Sequence, residues 1–333
     1  MGGSTTKQME SSRGARVWVA LWIVYLVWGS TYLAIRVVVH PSDGVGLPPL
    51  LGAAGRFVLA GVLMLAFALR RPSSVEGPDP LGWRQWAAAA VVGLALLLGG
   101  NGLVSIAERR VASGPAAVII ATVPIWATLL GAALGHERIR TRHAAGLLLG
   151  FVGVTVLVVG SGGGRLDAVG VVELVLAALC WSAGSVWSRT APLARRPLVM
   201  TGMEMLCGGL GCLVAAIVSG ELSDLHLSAV PTRSWVAMGY LVVFGSMVAY
   251  TAYVWLLGNA PLSLVTTYAY VNPLVAVLLG VVLLGETFTI RTGIATVVIV
   301  VGVALIVTKP RASRPAPEAV PESLAPEVVE SAG

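Results

Sequence analysis

The sequence predicts an all-α integral membrane protein with ten transmembrane helices, arranged as two five-helix repeats of inverted orientation. Three observations lead to this fold: an apolar composition, a series of long apolar stretches, and an internal repeat of about 150 residues. Hydrophobic residues make up 56% of the chain and charged residues only 11%, and the mean hydropathy is +0.86. A soluble globular chain does not have this balance, so the sequence indicates a protein that folds in lipid.

Apolar stretches long enough to cross a bilayer occur along most of the chain. A membrane helix needs about 20 residues to cross roughly 30 Å of hydrocarbon. The stretches run over residues 17–40, 49–70, 86–107, 111–134, 144–160, 168–188, 198–218, 235–257, 262–284 and 292–308. They show no two-residue alternation, which favours helices over barrel strands. The first stretch is too long for a signal-peptide core and others follow it, so we expect no cleavage.

The internal repeat is visible as pairs of identical residues at a nearly constant offset. The first pairs are 153 residues apart and the next pairs 149, namely Trp28/Trp181 and Arg36/Arg189, then Pro124/Pro273 and Glu137/Glu286. The second match continues through Gly131/Gly280, Arg142/Arg291 and Gly153/Gly302. Each half has five apolar stretches, an odd number, so the second half must enter the membrane from the opposite side. The sequence therefore predicts an inverted repeat, an arrangement known as a basis of alternating access.

The predicted boundaries place the first repeat at residues 17–160 and the second at 168–308. The linker between them, 161–167, is glycine-rich and lacks the Lys and the strand-to-helix context of a nucleotide-binding loop. Residues 1–16 are small and polar, and residues 309–333 are rich in Pro, Glu, Ala and Ser. We therefore expect disordered cytoplasmic tails at both ends.

Basic residues are distributed unevenly between the loops on the two sides. With the N-terminus inside, the cytoplasmic segments hold fifteen Lys and Arg residues and the outer loops hold five. The positive-inside rule then places both termini in the cytoplasm, with the chain in the inner or plasma membrane. This sorting also accounts for the net charge of +6 without any nucleic-acid partner.

Five segments of the sequence carry a resemblance to a known family. They are WGSTYLAIR (28–36), GNGLVSIAE (100–108), SGPAAVIIATVP (113–124), FGSMVAYTAYVWLL (244–257) and TTYAYVNPLVAVLLG (266–280). Together they resemble the EamA family of the drug/metabolite transporter superfamily, in particular the YedA-like exporters of bacterial inner membranes. The resemblance implies ten helices in two EamA repeats and export of small molecules, but it does not imply a particular substrate. From the residues and the resemblance together we predict a secondary-active exporter of small organic metabolites or drugs that works by alternating access. We further expect a small-molecule substrate and the lipid bilayer as partners, no cofactor, and either a monomer or a homodimer.

The residues present also bear on four other functions, namely uptake, exchange, membrane-embedded catalysis and sensing. Uptake and exchange remain open, because residues do not give the direction of transport. A membrane-embedded enzyme would need a clustered nucleophile and base or a set of metal ligands. The histidines lie at helix ends or in loops, and the cysteines lack metal-ligand spacing, namely His40, His136, His143 and His226, and Cys180, Cys207 and Cys212. We therefore predict no catalytic and no metal site. A sensor would carry a soluble output domain, and the loops between the apolar stretches are too short to contain one.

Arg56 and Glu204 are the main charged candidates, because a charge inside a membrane helix faces a cavity or a partner. They lie 148 residues apart and so occupy equivalent positions in the two repeats. Arg56 is expected about 10 Å below the outer boundary, and Glu204 at a similar depth from the cytoplasmic face. Arg56 is a candidate for anion binding and Glu204 for proton coupling, since burial favours a neutral carboxyl. The alternative is that neighbouring helices satisfy both and that they serve packing.

Several other charged residues are expected nearer the membrane surfaces. Glu173 and Glu108 are further candidates for proton coupling at the outer end, with a solvated ion pair as the alternative for Glu108. Arg36 and Arg189 are expected to extend to the headgroups. Glu137 and Glu286 are expected to form caps or salt bridges at the rims.

The remaining candidates for the substrate cavity are polar or aromatic residues at mid-depth. With Arg56 they are Trp28, Asn101, Trp126, Trp181, Tyr268, Tyr270 and Asn272. Aromatic rings beside hydrogen-bonding groups suit an amphipathic or cationic organic substrate. The alternatives are packing for the tryptophans and a bond between helices for Asn101.

Two prolines are candidates for gating. Pro124 and Pro273 are expected near the middle of helices four and nine, where a missing N–H frees the carbonyls of Ile120 and Ala269. Such groups can line a cavity, and the kink can act as a gate. A static kink that serves only packing is the alternative.

Overall fold

A computed structural model describes residues 2–39, 41, 44–70, 81–107, 109–111, 116, 119–135, 139, 141–158, 167–284 and 289–307. Within these residues the regular secondary structure is helical, with no β-strand, which confirms the predicted all-α class. The helices of the first half are α1 (Gly2–Val39), α2 (Pro49–Arg70), α3 (Trp83–Ala107), α4 (Val123–Ala133) and α5 (Thr141–Val158). Those of the second half are α6 (Ala168–Ser188), α7 (Pro197–Val218), α8 (Thr232–Asn259), α9 (Tyr268–Leu284) and α10 (Ile290–Val307).

The outward faces of these helices are apolar. Within the described residues, six helices are long and apolar enough to cross a membrane: α1 from Gly14, α2, α3, α6, α7 and α8. Large apolar side chains such as Phe67, Val214 and Val297 are exposed on them and on α10. A continuous apolar exterior is unfavourable in water and is typical of a surface that contacts lipid. The predicted total of ten transmembrane helices stays a prediction.

The first helix begins earlier than the sequence predicts. Its backbone is helical from Gly2, through residues 2–16, which were expected to form a disordered tail. The segment contains no proline, and adding residues to an existing helix needs no new nucleation step. The apolar stretch therefore predicts where the membrane-crossing part begins but not where the helix begins.

The fourth helix is shorter than its apolar stretch. The chain turns at Ala121 and Thr122, and α4 begins only at Val123. The sequence predicted Pro124 near the middle of a continuous helix, and this prediction is wrong. Pro124 lies in the first turn of α4. Proline is favourable in this position, because the first N–H groups of a helix have no acceptor within it.

The ninth helix is also interrupted, but at a different place. A short helix at Leu262–Val265 and a turn at Thr266 and Thr267 precede α9. Pro273 lies inside α9, as the sequence predicts. The two prolines are therefore equivalent in sequence but differ in structure.

The third and eighth helices share a distortion. The stretch Leu94–Gly102 of α3 and the stretch Leu241–Val248 of α8 are π-helical. When the first stretch is shifted by the repeat offset of 148 residues, it nearly coincides with the second. The helix is therefore wider at equivalent positions of the two repeats. Departures of this kind from α-helical geometry are frequently found at functional sites.

The two halves meet along α2 and α7 through glycines at equivalent positions. A Cβ at Gly61 would lie 2.7 Å from the backbone nitrogen of Leu206, and a Cβ at Gly209 would lie 2.8 Å from that of Val58. Gly61 and Gly209 are 148 residues apart, and so are Val58 and Leu206. The same contact thus occurs twice with the two halves exchanged, which is the pattern of a two-fold relation.

A second reciprocal contact joins α5 and α10. A Cβ at Gly153 would lie 2.9 Å from the backbone nitrogen of Ile299, and a Cβ at Gly302 would lie 2.6 Å from that of Gly150. Both the glycines and their partners are 149 residues apart. Two separate interfaces therefore follow the same relation between the halves.

Candidate functional site

A cavity of about 90 Å³ lies between the two halves, with room for several water molecules. Most of the predicted substrate candidates line it, namely Trp28, Arg56, Asn101, Trp181, Tyr268 and Asn272. The other described residues of its wall are Thr31, Ile35, Phe57, Leu97, Gly100, Val104, Ile120, Val123, Ala177, Met205, Gly245 and Tyr250. Asn101 and Gly245 belong to the two π-helical stretches. The shared distortion thus lies at the cavity.

One side of the cavity is an aromatic cluster centred on Trp28. The ring of Trp28 lies 5.5 Å from that of Trp181, its equivalent in the second repeat, and 5.0 Å from those of Tyr253 and Tyr268. These separations are in the range in which aromatic pairs attract. Trp181 donates its Nε1–H to the hydroxyl of Tyr253 at 3.0 Å, so the cluster also satisfies its buried polar groups. The cluster lies where equivalent positions of the two halves meet.

Arg56 of α2 reaches the cavity from another side and is bonded to α8. The residue is 7% exposed, and its Nε–H donates to the hydroxyl of Ser246 at 2.7 Å. A Cβ at Gly245 would lie 2.9 Å from Nη2 of Arg56, so the glycine provides the space that the guanidinium occupies. The carbonyl of Gly245 accepts the Nε1–H of Trp28 at 3.1 Å. The π-helical stretch of α8 thus positions both the arginine and the tryptophan.

Glu204 of α7 lies behind the cavity wall. It is 1% exposed, and its Oε2 accepts the hydroxyl of Tyr250 at 3.0 Å. Its Oε1 is buried and has no partner among the described residues, and none of their cationic groups forms an ion pair with it. The titratable groups near it within the described part of the chain are Tyr250 and Tyr253 of α8 and Cys207 of α7. A carboxylate in this position is costly to keep ionised.

The two charged residues are joined through one helix. Ser246 holds Arg56 and Tyr250 holds Glu204. These two residues of α8 are four apart, or about one helical turn, and point to the same side. The sequence predicted Arg56 and Glu204 as equivalent positions, and the structure links them through α8.

Asn272 of α9 connects the cavity to α1. With its amide oriented to satisfy its neighbours, its nitrogen donates to the carbonyls of Tyr268 at 3.1 Å and Tyr25 at 3.3 Å. Tyr25 in turn bonds the hydroxyl of Thr267 at the turn before α9. The amide therefore ties the start of α9 to the adjacent helix.

Two predicted cavity residues lie elsewhere. Tyr270 packs against α5, where its hydroxyl donates to the carbonyl of Leu147 at 3.1 Å. Tyr268 and Asn272, two positions before and after it, line the cavity. Residues two apart in a helix point in different directions, so Tyr270 lies on another side of α9. Trp126 donates its Nε1–H to the hydroxyl of Thr122 at 3.1 Å, and it packs at the edge of the core outside the cavity lining.

The other charged candidates lie away from the cavity lining. Glu173 pairs with Arg110 at 3.2 Å. Arg189 donates to the carbonyl of Ala260 at 3.0 Å. The remaining predictions concern Glu108, Glu137, Glu286 and the side chain of Arg36, all of which lie outside the described residues.

The sequence reading missed Ser246 and Tyr250, the two partners on α8. Both occur in the segment FGSMVAYTAYVWLL, one of the five segments that carry the family resemblance. The available signal was their spacing, since hydroxyl groups four residues apart in an apolar helix share a face. Their partners on other helices give no signal in the sequence.

Two helical halves with reciprocal contacts, apolar outward faces and a charged cavity between them define a multi-pass membrane protein with a polar interior. The chain belongs to the EamA-like transporter family, whose model matches residues 17–159 and 168–308. This match confirms the family predicted from the sequence motifs.

Named relatives support a transporter role. The chain is 39% identical over 293 residues to the uncharacterized inner membrane transporter YedA of Escherichia coli K12, across 86% of this chain and 89% of that protein. It is 29% identical over 300 residues to a chloroplastic WAT1-related protein of Arabidopsis thaliana, across 87% of this chain and 69% of that protein. A solved crystal structure shares the fold at 24% identity, with a TM-score of 0.71 over 88% of this chain and 96% of its own.

Proposed function

We propose that the protein is a secondary-active transporter that exports a small organic solute by alternating access of the central cavity. Ten transmembrane helices form two inverted repeats, 17–160 and 168–308, joined by the linker 161–167, with both termini cytoplasmic. The observation that carries this proposal is the cavity between halves whose contacts are reciprocal. Alternating access works by rocking two related units about a fixed central site.

The cavity belongs to a state that opens outward. With the N-terminus inside, α1 and α3 run toward the outer face, and Ile35 and Val104 lie toward that face of the cavity. On the cytoplasmic side Leu21, Val24 and Tyr25 of α1 are buried in the main core. Exchange of the roles of the two halves then produces the inward-open state.

The contact between Glu204 and Tyr250 supports proton coupling at Glu204. Tyr250 lines the cavity and also donates to the carboxyl, whose second oxygen has no partner among the described residues. Uptake or release of a proton at Glu204 therefore changes a bond made by a residue of the cavity wall. Proton antiport of the solute is the coupling that this arrangement favours.

Reconstitution in proteoliposomes with an imposed pH gradient and a panel of labelled metabolites tests the proposal. We expect the wild-type protein to accumulate solute in response to the gradient. Glu204→Gln should abolish this response while exchange of solute at equal pH continues, because the amide keeps the shape but binds no proton. Glu173→Gln is the matched control, since this carboxylate lies outside the cavity lining and pairs with Arg110.

Each possible failure has a distinct meaning. An unchanged pH response in Glu204→Gln would remove Glu204 from the coupling. Absence of solute movement under every gradient would remove the transport function itself. Comparison of inside-out with right-side-out vesicles separates export from uptake or exchange.

A further inference from the structure

We infer that the cavity binds a small organic anion, a carboxylate on an aromatic or apolar body, and that Arg56 holds the carboxylate. The inference rests on the proposed transport function and names its substrate class. The observation behind it is a cavity that is lined by Arg56 and by several aromatic rings, in which Arg56 forms no ion pair with any described carboxylate.

The guanidinium of Arg56 has donors to spare. A guanidinium carries five N–H groups, and the one on Nε is taken by Ser246. Among the described residues no acceptor forms a hydrogen bond with Nη1 or Nη2, and no carboxylate forms an ion pair with Arg56. A buried cation with so few partners is costly. A ligand carboxylate offers two oxygens in the geometry that matches the two terminal nitrogens.

The surroundings hold the guanidinium in place before a ligand arrives. Its central carbon lies 4.9 Å from the centroid of the Phe57 ring, and Ser246 fixes Nε. Gly245 leaves the space beside Nη2 that any side chain would fill. A donor that is already fixed loses little freedom on binding, so the arrangement favours recognition of a planar anion.

The sign of the ligand charge follows from the cavity lining. Aromatic walls alone are compatible with a cation as well as with an apolar group. The described residues that line the cavity include Arg56 but no Asp or Glu, and Glu204 lies behind Tyr250. A cationic ligand would meet the charge of Arg56 with no carboxylate in the wall to offset it. The lining therefore selects an anion.

The aromatic cluster provides the surface for the rest of the ligand. Trp28 meets Trp181 at an interplanar angle of 81° and Tyr268 at 82°, which leaves ring faces and edges turned in different directions. Such surfaces pack well against a ring or a short apolar chain. The modest volume of the cavity favours a compact body with one charged head.

Benzoate, benzamide and benzamidine test the inference, because they share a ring and a planar head but are anionic, neutral and cationic at neutral pH. We expect benzoate to raise the unfolding temperature of the purified protein, and labelled benzoate to enter proteoliposomes faster than protein-free liposomes. Arg56→Gln should weaken benzoate binding by about tenfold to a hundredfold, the range for a hydrogen bond to a charged group. Arg56→Lys keeps the charge but not the two-pronged geometry, so its loss should be smaller.

The control variant is Arg110→Gln, which removes an arginine outside the cavity lining and should bind benzoate normally. The unfolding temperature without ligand shows that each variant is folded. Equal or better binding of benzamide or benzamidine, no binding of benzoate, or full binding by folded Arg56→Gln would overturn the inference. Movement of only neutral or cationic solutes overturns the anion site and leaves transport standing. If benzoate binds but no solute moves under any gradient, the transport function is overturned and the anion site stands.

Discussion

At the scale of single residues, one repeated position has acquired two opposite charges. Arg56 and Glu204 are equivalent, and each is bonded to a hydroxyl of α8. Because Ser246 and Tyr250 are about one turn apart, a displacement of α8 changes both contacts together. The helix that carries these hydroxyls is therefore the physical link between the charge on the cavity and the carboxyl behind it.

Removal of the Tyr250 hydroxyl tests this link. Tyr250→Phe keeps the ring near Trp28 and Tyr253 but leaves neither Glu204 oxygen with a donor among the described residues, so the free energy of unfolding should fall by about 1–3 kcal/mol. In a Glu204→Leu background the same change should cost much less, because no acceptor remains to be left unpaired. Unfolding of the four proteins of this cycle measures the difference.

The control is Tyr240→Phe, whose hydroxyl bonds Ser30 and makes no contact with Glu204. Its effect should be the same in both backgrounds. Additive effects of Tyr250→Phe and Glu204→Leu would show that the two residues do not interact.

At the scale of helices, contact between backbones joins the halves. Lipid is as apolar as leucine, so helices in a membrane gain little from burial and associate through close packing of small residues. Gly61 and Gly209 bring α2 and α7 together, and Gly153 and Gly302 do the same for α5 and α10. Each interface thus depends on positions where a side chain has no room.

Alanine substitutions at the α2–α7 interface should be destabilising to a similar degree in both halves. In Gly61→Ala and Gly209→Ala the new methyl group would lie 2.7 and 2.8 Å from a backbone nitrogen, which no rotamer change can move aside. Overpacking of this kind costs about 1–3 kcal/mol. Thermal unfolding of the two purified variants measures the cost.

Two glycines with open surroundings provide the comparison. A Cβ at Gly55 of α2 or Gly239 of α8 would meet nothing within 4 Å. Alanine at either position should leave the free energy of unfolding unchanged, or raise it by up to about 1 kcal/mol, because alanine has the higher helix propensity. Equal losses at Gly55 and Gly61 would indicate that helix propensity, and not the close contact, decides the outcome.

The ends of a helix were predictable where a polar loop flanks the apolar stretch on each side. The predicted ranges 49–70 and 168–188 agree with α2 and α6. The break at Ala121 and Thr122 was not predictable, because the apolar stretch continues across it and hydropathy does not register a turn between apolar residues. Hydropathy likewise gives no end point for a helix such as α1 that continues into polar sequence.

The candidate site was predictable by residue type but not by contact. A charge in an apolar stretch marks Arg56 and Glu204, since lipid makes an unpartnered charge costly. Trp126 and Trp181 lie in equally apolar segments, yet only Trp181 lines the cavity. The difference depends on the rotation of each helix about its axis, which is set by neighbouring helices. The role of Ser246 was hidden for the same reason.

At the scale of the whole molecule, three features obey one relation between the halves. They are the α2–α7 contact, the α5–α10 contact and the pairing of Trp28 with its equivalent Trp181. A two-fold axis that passes near the tryptophan pair accounts for all three. If this axis lies in the plane of the membrane, each half presents to one side what the other presents to the opposite side.

The proposed inverted arrangement predicts on which side of the membrane each of the two loops that flank α7 lies. Ser223 follows α7 and Thr190 precedes it, and both are exposed. In a background with Cys180, Cys207 and Cys212 replaced by Ala, Ser223→Cys should react with an impermeant maleimide added to intact cells. Thr190→Cys should react only after permeabilisation, because one membrane crossing separates the two positions. Labelling of whole cells and of inverted vesicles provides the measurement.

The same cysteine-free background tests the outward-open cavity. Asn101→Cys, on the cavity wall, should react from outside, and the reaction should slow when benzoate is present because ligand and reagent occupy the same space. Val265→Cys serves as the unreactive control, since this residue is fully buried in the main core. Reaction of Ser223→Cys and Thr190→Cys from one side would contradict the inverted topology, because α7 would then fail to cross the membrane. Reaction of Asn101→Cys only from the cytoplasmic side would instead preserve the topology and reverse the direction in which this state opens.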